Sequence, residues 1–382
     1  MTVIAFFEDV RIAIADVLIT KSLGREAART PTGGTTEDFA RHGLQVTRLV
    51  RKMVTAEGPV GRIECLVAGT VSHIDAFAQV LQAVLNNSLP LPDELRETVR
   101  RAGVFGCFQV ATQIADNSGF SEYEVIGVAG ANMCFQTVDA TRVEEVLPYF
   151  GKVYIAGSGS FDLLHWLRLR GETFARVFAE HPEDTKRFHI AHMVPLMLMQ
   201  EDLGEQRTLQ AGVGGYYEAF QILPGKLEPF DECLTVFVDL LGRKRDATVQ
   251  VRHVLYHCYR GSTLHVLSLN TPVKVSAVAP VKVPLDDFGY HEIPPLQGSS
   301  VSPSWTRHMV AAKLRGARTI RTVIRKKVGG KWVDKRLLNN GAVPVVLTVS
   351  LAGDNLVLAV DVQSYEQHFT RFPSDHDTVL KV

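Results

Sequence analysis

The second residue of the chain is a threonine, and its place after Met1 suggests a particular chemistry. Aminopeptidases remove an initiator methionine when the next residue is small, as Thr2 is. Removal leaves Thr2 with a free α-amine of ordinary pKa about 7.7–8.0, which can accept the proton of the threonine hydroxyl directly or through a water. This is the threonine version of a nucleophile paired with a base. The alternative is that Met-Thr is an ordinary chain start, and the dipeptide alone favours that alternative.

Histidines form a second group of candidate chemical residues. In VRHVLYHCYRGSTLHV, His253 and His257 share one face of a strand because their separation is even, and His265 lies across a predicted hairpin. Together with Cys258 they suggest a metal site, but no carboxylate partner is fixed by the spacing, so we expect packing or surface roles and no metal. The HIAH segment at 189–192 lacks the spacing and the glutamate of a zinc-protease helix. No motif indicates a cofactor.

A basic stretch is the clearest electrostatic feature of a chain whose formal net charge is zero. Residues 307–336 contain eleven Lys and Arg and one acid, Asp334. One interpretation is an anionic partner: a nucleic acid, a phosphorylated ligand or an acidic protein. The other is a solvated hairpin that pairs with the acidic surface of the same protein. Trp332 is the one aromatic residue of the hairpin, too few for a stacking platform, and this favours the second interpretation.

The glycine pair at 329–330 predicts the turn of this hairpin. Alternation along the first strand puts Arg321, Arg325 and Lys327 on one face and more apolar residues on the other. We therefore expect the face with Arg321 to point toward solvent or toward a partner.

Composition is that of a globular protein. Its residues are 46% hydrophobic and 21% charged, which is typical of a globular protein. The length of 382 residues predicts about two domains. The five cysteines include no CxxC pair and indicate a reducing compartment. No apolar run reaches the roughly 18 residues of a membrane helix, and Glu8, Asp9 and Arg11 interrupt the first apolar stretch, so we expect neither a membrane segment nor a signal peptide. These features predict a cytoplasmic protein.

Periodicity predicts an alternation of strands and helices. Residues 2–7 and 10–15 are β-rich and are joined by a polar turn, which predicts a hairpin. Beyond residue 226 the pattern is almost entirely β, with a proline-rich linker at 283–296. Helices are predicted at 75–85, 92–103, 161–180 and 184–203, and further strands at 46–55, 62–68, 104–112, 123–138, 151–156, 215–223 and 233–241. Placing the helices outside two packed sheets buries every apolar face.

The segment TVIAFFEDVRIAIADVLIT resembles the start of proteasome β-type subunits, including the bacterial peptidase subunit of the two-part ATP-dependent protease. In that family an N-terminal threonine begins a strand, and a second strand ends in an aspartate followed by a threonine. Thr2, Asp16 and Thr20 have these positions here. The resemblance covers about residues 2–225.

Two later segments resemble the same family in the right order. In VRKMVTAEG and CLVAGTVSHIDAFAQVL, Lys52 and Asp75 match the family's lysine and the aspartate of a helix start. VYIAGSGSFDLL matches a strand–GSGS–helix junction and places Ser158 at the family's functional serine.

The resemblance implies a role for each matched residue. Lys52 would lower the pKa of the Thr2 hydroxyl and keep the α-amine neutral, with Arg51 as the alternative if the register is off by one. Asp16 would anchor the lysine, and Ser158 would relay a proton to the amine. An oxyanion site would come from the backbone N–H groups of Thr70, Val71 and Ser72.

The sequence departs from the family pattern at four positions. Val71 replaces a glycine of the oxyanion segment, and Leu18 replaces an arginine. A supporting aspartate and serine expected before a glycine pair are Gln210 and Val213. His73, inside the oxyanion segment, is a base, a specificity residue or a helix cap.

The sequence therefore predicts an α+β protein: a four-layer αββα N-terminal-nucleophile hydrolase domain at 1–225 and a β-rich accessory domain at 226–382. The predicted function is that of a threonine-type amidohydrolase or peptidase acting on a peptide or amide. The resemblance implies a homo-oligomer, such as a ring. The alternative is a catalytically silent scaffold or binding subunit that acts through its C-terminal domain.

Overall fold

A computed structural model describes most of the chain. The described residues are 2–22, 30–33, 44–136, 143–178, 182–203, 214–230, 232–241, 248–297, 305–316, 319–328, 331–339, 347–362 and 378–380. The chain divides into two compact units. The first unit comprises Met1–Thr30, Gly34–Phe230 and Pro294–Ser300, and the second comprises Pro31–Gly33, Asp231–Ile293 and Val301–Val382. Among the described residues, no helix is long and apolar enough to cross a membrane.

A six-stranded antiparallel sheet forms one part of the first unit, with the strand order β12-β11-β2-β1-β10-β9. Its strands are β1 (Ile4–Phe7), β2 (Ile12–Asp16), β9 (Val143–Leu147), β10 (Gly151–Ala156), β11 (Tyr217–Leu223) and β12 (Lys226–Pro229). The predicted hairpin is confirmed, because β1 pairs antiparallel with β2. All residues of β1 and β2 are buried, so the first strand of the chain is an interior strand.

A four-stranded sheet and two helices form the second part of this unit. The elements are β5 (Met53–Gly58), β6 (Gly61–Gly69), β7 (Tyr123–Ala129), β8 (Asn132–Gln136), α1 (Val71–Leu85) and α2 (Asp93–Asn117). Phe77 and Leu81 of α1 pack with Val54 and Ile63 of the sheet in one apolar cluster. A separate two-stranded ribbon pairs β3 (Leu18–Ser22) with β4 (Leu44–Leu49).

The strand predicted at 104–112 is wrong, because these residues continue α2. Gly103 has a φ of 56° and kinks the helix without ending it. An apolar run such as VFGCFQV is compatible with a buried helix as well as with a strand, and periodicity alone does not separate the two.

Two further helices belong to the first unit: α3 (Ser160–Phe178) and α4 (Glu183–Leu203). Helix α4 contacts β2 and β11 of the six-stranded sheet. Its residues 189–199 are buried at every position, so the helix has no solvent face over that length. This burial places the C-terminal end of α4 inside the unit.

The second unit is built mainly from one large sheet. Its strand order is β18-β15-β14-β13-β19-β20-β23, with β16 paired to β14. The strands are β13 (Cys233–Leu240), β14 (Thr248–Arg260), β15 (Thr263–Leu269), β16 (Val273–Ser276), β18 (Gly289–Ile293), β19 (Thr319–Val328), β20 (Lys331–Asn339) and β23 (Thr378–Leu380). A three-stranded sheet and a short helix complete the unit: β17 (Val281–Pro284), β21 (Leu347–Ala352), β22 (Asn355–Val360) and α5 (Arg307–Ala312).

The linker predicted at 283–296 is wrong for most of its length. This stretch holds the end of β17, a 3₁₀ turn at Leu285–Asp287 and all of β18. Pro284 ends a strand that lies at the edge of its sheet, where a residue without an N–H group is tolerated.

The predicted four-layer αββα N-terminal-nucleophile sandwich is also wrong. The structure is mostly β, with 46% strand against 33% helix. The described residues form five α-helices and five sheets, one of them the two-stranded ribbon. The order of strands and helices along the chain allows more than one layering, because the apolar faces that meet decide the architecture.

Candidate functional site

Thr2 and Lys52 meet in the interior of the first unit. Lys52 Nζ donates a hydrogen bond of 2.8 Å to Thr2 Oγ1. Both residues are buried, with 5% of Thr2 and 4% of Lys52 exposed. Thr2 precedes the interior strand β1, and Lys52 immediately precedes β5, so the lysine reaches the threonine from a different sheet.

Asp16, the last residue of β2, is fully buried next to this pair. Its Oδ1 accepts a hydrogen bond from the N–H of Val3 at 3.1 Å, and its Oδ2 accepts one from the N–H of Gly214 at 3.1 Å. Burial raises the pKa of the Asp16 carboxyl and lowers the pKa of the Lys52 ammonium, because both charges lose water. The attraction between the two charges opposes both changes.

Ser158 lies in the turn between β10 and α3 and contacts the backbone of Thr2. The N–H of Thr2 donates to Ser158 Oγ at 3.1 Å, and the N–H of Gly159 donates to the Thr2 carbonyl at 3.2 Å. Gly157 has a φ of 95°, and a Cβ there would lie 2.3 Å from the Thr2 carbonyl oxygen. The GSGS turn thus holds Thr2 through close backbone approach, which only glycine permits at position 157.

The predicted oxyanion segment spans the end of β6 and the start of α1. A Cβ on Gly157 would also lie 3.3 Å from Ala68 Cβ, which places the end of β6 close to the Thr2 backbone. The N–H of Thr70 donates to the carbonyl of Glu122 at 2.9 Å. Val71 and Ser72 begin α1, where first-turn N–H groups have no acceptor within the helix. These two residues are therefore the available donors of this segment.

His73 does not cap α1. The N–H of Glu122 donates to His73 Nδ1 at 3.0 Å, and the imidazole meets the ring of Phe120 edge-on at a centroid distance of 5.5 Å. Because Nδ1 is an acceptor, the proton of the neutral imidazole is on Nε2. The ring is thus oriented by the chain that precedes β7.

Arg51 has a structural contact different from that of its neighbour Lys52. Its guanidinium is buried and pairs with Glu218 of β11 through an Nε–Oε1 distance of 2.7 Å. It also lies over the ring of Phe220 at 5.6 Å. The lysine, and not the arginine, is the cation at Thr2.

Asp202 was missed by the sequence analysis. It lies in the last turn of α4 and is fully buried. Its Oδ2 accepts from the N–H of Gly215 at 3.1 Å, and the Tyr217 hydroxyl donates to its Oδ1 at 3.4 Å. A Cβ on Gly214 would lie 2.7 Å from both carboxylate oxygens. Asp202 therefore shapes the Gly214–Gly215 pair, of which Gly214 donates to Asp16.

A signal for Asp202 exists in the sequence. An acid in the last turn of a helix opposes the helix dipole, which favours cations at that end, so Asp202 is out of place unless another contact stabilises it. The expected supporting positions, Gln210 and Val213, lie outside the described residues. The side chains of Leu18 and Thr20 in β3 also lie outside the described part.

The histidines of β14 and β15 are engaged in contacts within the second unit. His253 Nδ1 is 3.2 Å from Asn270 Oδ1, and His265 Nδ1 is 2.8 Å from the Tyr290 hydroxyl. Burial lowers the pKa of His253 to about 4. Within the described ranges, no group of three or more His, Cys, Asp or Glu residues is arranged to hold a metal ion.

The basic hairpin is confirmed, but the predicted solvent exposure of one face is wrong for Arg321 and holds for Lys327. β19 and β20 pair antiparallel with Val328 opposite Lys331. Arg321 is 2% exposed, although alternation predicted a solvent face. The successive residues Arg321, Thr322, Val323 and Ile324 are all buried, so both faces of β19 are covered along this part of the strand.

Arg325 of the same strand is neutralised within the chain. Its guanidinium makes two hydrogen bonds of 2.8 Å to the carboxylate of Asp239, one to each oxygen. Arg252 also contacts Asp239, at 2.9 Å. Lys327 is exposed. The stretch thus combines internal ion pairs with exposed cations.

Comparison of the chain with protein-family models, with curated proteins and with solved structures finds no match.

Proposed function

We propose that the protein is a threonine-type N-terminal-nucleophile amidohydrolase or peptidase, with Thr2 as its nucleophile. The observation that carries the proposal is the 2.8 Å hydrogen bond from the buried Lys52 ammonium to Thr2 Oγ1. A buried lysine is costly unless other interactions compensate, and here the nearby Asp16 carboxylate attracts its charge. The Lys52 ammonium points toward the Thr2 hydroxyl, and this direction favours a chemical role.

The proposed reaction requires hydrolysis of the Met1–Thr2 peptide bond, which leaves an amine on Thr2. The amine takes the hydroxyl proton, and Oγ1 attacks the carbonyl carbon of a peptide or amide. The tetrahedral oxyanion is stabilised by the N–H groups of Val71 and Ser72. When the C–N bond breaks, the leaving amine receives the proton, and an ester on Thr2 remains. Water then hydrolyses the ester and restores the hydroxyl.

Lys52 and Asp16 prepare Thr2 for this reaction. A cation at 2.8 Å stabilises the developing alkoxide and disfavours protonation of the nearby amine. Asp16 keeps a counter-charge near Lys52 and is itself held by the Val3 and Gly214 N–H groups. Ser158, at 3.1 Å from Thr2 N, accepts from this nitrogen and can return a proton to it.

A probe experiment tests the proposal on the full chain. Intact mass first establishes whether Met1 is removed. A β-lactone then reports a reactive hydroxyl, and an epoxyketone, which reacts with both the amine and the hydroxyl, reports a free N-terminal threonine. We expect both to label Thr2, and we expect Thr2→Ala to abolish labelling. Thr2→Ser, which keeps a hydroxyl, is the matched control and should retain labelling.

Two outcomes contradict the proposal. Labelling that survives Thr2→Ala would place the nucleophile elsewhere. Retention of Met1 with no labelling would favour the catalytically silent scaffold or binding subunit. The proposed homo-oligomeric state is tested separately by the native mass of the purified protein, where a monomer contradicts it.

A further inference from the structure

The chain returns to the first unit at a short proline-containing segment. Residues Pro294–Gln297, which we call the strap, follow β18 and belong to the first unit. The N–H of Arg51 donates to the Pro294 carbonyl at 2.9 Å, and the N–H of Leu296 donates to the Arg51 carbonyl at 3.0 Å. Prolines lack an N–H group, but the strap uses the carbonyl of Pro294 and the N–H of Leu296, which are both present. The strap therefore adds to the chain at Arg51 as a short parallel partner.

The other end of the strap contacts the first turn of α1. Gln297 Nε2 donates to Asp75 Oδ1 at 3.0 Å and lies 3.4 Å from the Asp75 carbonyl. Leu296 packs against the apolar cluster that contains residues of α1, β5 and β6. Both ends of the strap are thus attached to the first unit.

The elements that the strap joins are the ones that the proposed reaction uses. Arg51 directly precedes Lys52, whose carbonyl accepts the N–H of Val67 in β6 at 2.9 Å. Asp75 follows the N–H donors of Val71 and Ser72 by about one helical turn. The strap therefore links the chain that carries the lysine to the helix start that carries the oxyanion donors.

We propose that the strap positions the catalytic elements, and that Gln297 is a positioning residue for α1. This inference rests on the proposed function of Thr2. Under this inference the strap, although it follows residue 230 in the chain, contributes to the geometry of the proposed site. Because the oxyanion donors act in the acylation step, a displaced α1 lowers the maximal rate of acylation more than it changes the binding of the probe.

A negative charge introduced at the Gln297–Asp75 contact tests this role. Gln297→Glu places a second carboxylate next to Asp75, and we expect the maximal rate of β-lactone acylation of Thr2 to fall about tenfold to a hundredfold. The concentration for half-maximal rate should change less than about twofold. Asp75→Asn alone keeps an oxygen that accepts from Gln297 and should react as the wild type does. The double variant Gln297→Glu/Asp75→Asn restores a donor and an acceptor and should regain most of the rate.

Gln79→Glu is the matched control, because Gln79 lies on the exposed side of α1. It should leave the rate unchanged. An unchanged rate in Gln297→Glu, or a low rate that the double variant does not restore, would overturn the inference even though wild-type Thr2 is labelled. If Gln297→Glu unfolds, the rate of the double variant decides. Absence of labelling in the folded wild type would instead contradict the proposed function.

Discussion

At the residue scale, the proposed reactivity of Thr2 would depend on two charged groups, Lys52 and Asp16, that are held away from water. Lys52 and Asp16 are both buried, and burial disfavours the charge of each while the attraction between them favours both charges. A pair of this kind is weak support for stability, since desolvation offsets the attraction. The position of this pair next to the Thr2 hydroxyl is what favours the proposed role in chemistry.

Replacing Lys52 with methionine should remove the reactivity of Thr2. Methionine has a similar length and no charge, so the alkoxide that forms on Oγ1 loses its cation. We expect the rate of β-lactone labelling to fall by at least about a hundredfold, as for the loss of an oxyanion donor. Lys226→Met, at an exposed lysine of β12, should not change the rate. A Lys52→Met rate within about threefold of the wild type would contradict the role.

The free energies of unfolding of the wild type and of Lys52→Met should also depend differently on pH. Because burial lowers the pKa of Lys52 from 10.5, the unfolded chain binds this proton more tightly than the folded chain does. Between the two pKa values, this group raises the free energy of unfolding as the pH rises. The free energy of unfolding of the wild type minus that of Lys52→Met should therefore increase as the pH rises toward about pH 10. Urea unfolding at several pH values measures it, and a difference that shrinks with pH would contradict the assignment.

At the scale of elements, two glycine-containing turns hold the residues around Thr2. The turn after β10 holds the Thr2 backbone, and the turn before β11 donates to Asp16. Gly157 and Gly214 have positive φ values of 95° and 116°. Both glycines are next to atoms that leave no room for a Cβ.

Gly157→Ala should disrupt the first turn. The new Cβ would lie 2.3 Å from the Thr2 carbonyl oxygen, so the turn or Thr2 must move. Gly119→Ala is the control, because Gly119 also has a positive φ but has no atom within 4 Å of the added Cβ. We expect Gly119→Ala to cost about 1 kcal/mol and Gly157→Ala to cost several, with loss of Thr2 labelling. Equal melting temperatures for the two variants would contradict this interpretation.

Asp202→Ala should disturb the second turn. It removes the acceptor for the Gly215 N–H, and a buried unpaired donor costs about 1–3 kcal/mol. Asp202→Asn keeps one carbonyl oxygen as an acceptor and should be closer to the wild type in both stability and labelling rate. Thermal unfolding and β-lactone kinetics measure the two effects. Two variants with the same loss would indicate that the charge, and not the hydrogen bond, is what matters.

At the scale of the whole molecule, part of the basic charge of the second unit is paired or buried within that unit. Arg325 binds Asp239 through both carboxylate oxygens, and Arg321 is buried in the large sheet. An exposed basic surface for an anionic partner is therefore smaller than the sequence count suggests. Exposed cations such as Lys327 remain.

Arg325→Ala should destabilise the second unit more than Lys327→Ala does. The first change removes a bidentate partner from the largely buried Asp239, which costs about 1–3 kcal/mol, whereas an exposed lysine contributes about 0–1 kcal/mol. We expect that neither the wild type nor either variant binds nucleic acid at about 50 mM salt. Binding that weakens steeply with salt, and that Lys327→Glu reduces, would contradict this expectation, whereas equal losses of stability in the two alanine variants would contradict the pairing of Arg325 with Asp239.

Local patterns of the sequence determined several features without reference to tertiary contacts. Alternation and a polar turn predicted the β1–β2 hairpin, and a glycine pair predicted the hairpin of β19 and β20. A resemblance of short ordered segments also points to Thr2, Lys52, Asp16 and Ser158, which the structure brings together and whose catalytic roles stay predictions. These features depend on neighbours within a few residues or on residue types alone, which is why a sequence can carry them.

The tertiary structure decided what depends on contacts across the chain. The αββα layering was wrong, because element order does not determine which apolar faces meet. Arg321 is buried because packing covers both faces of β19 around Val323, and Asp202 of α4 accepts a hydrogen bond from the Gly215 N–H, which lies thirteen residues later in the chain. The 2.8 Å contact between Lys52 and Thr2 joins residues fifty positions apart. Such distances follow from the packing of sheets and helices, which no local pattern encodes.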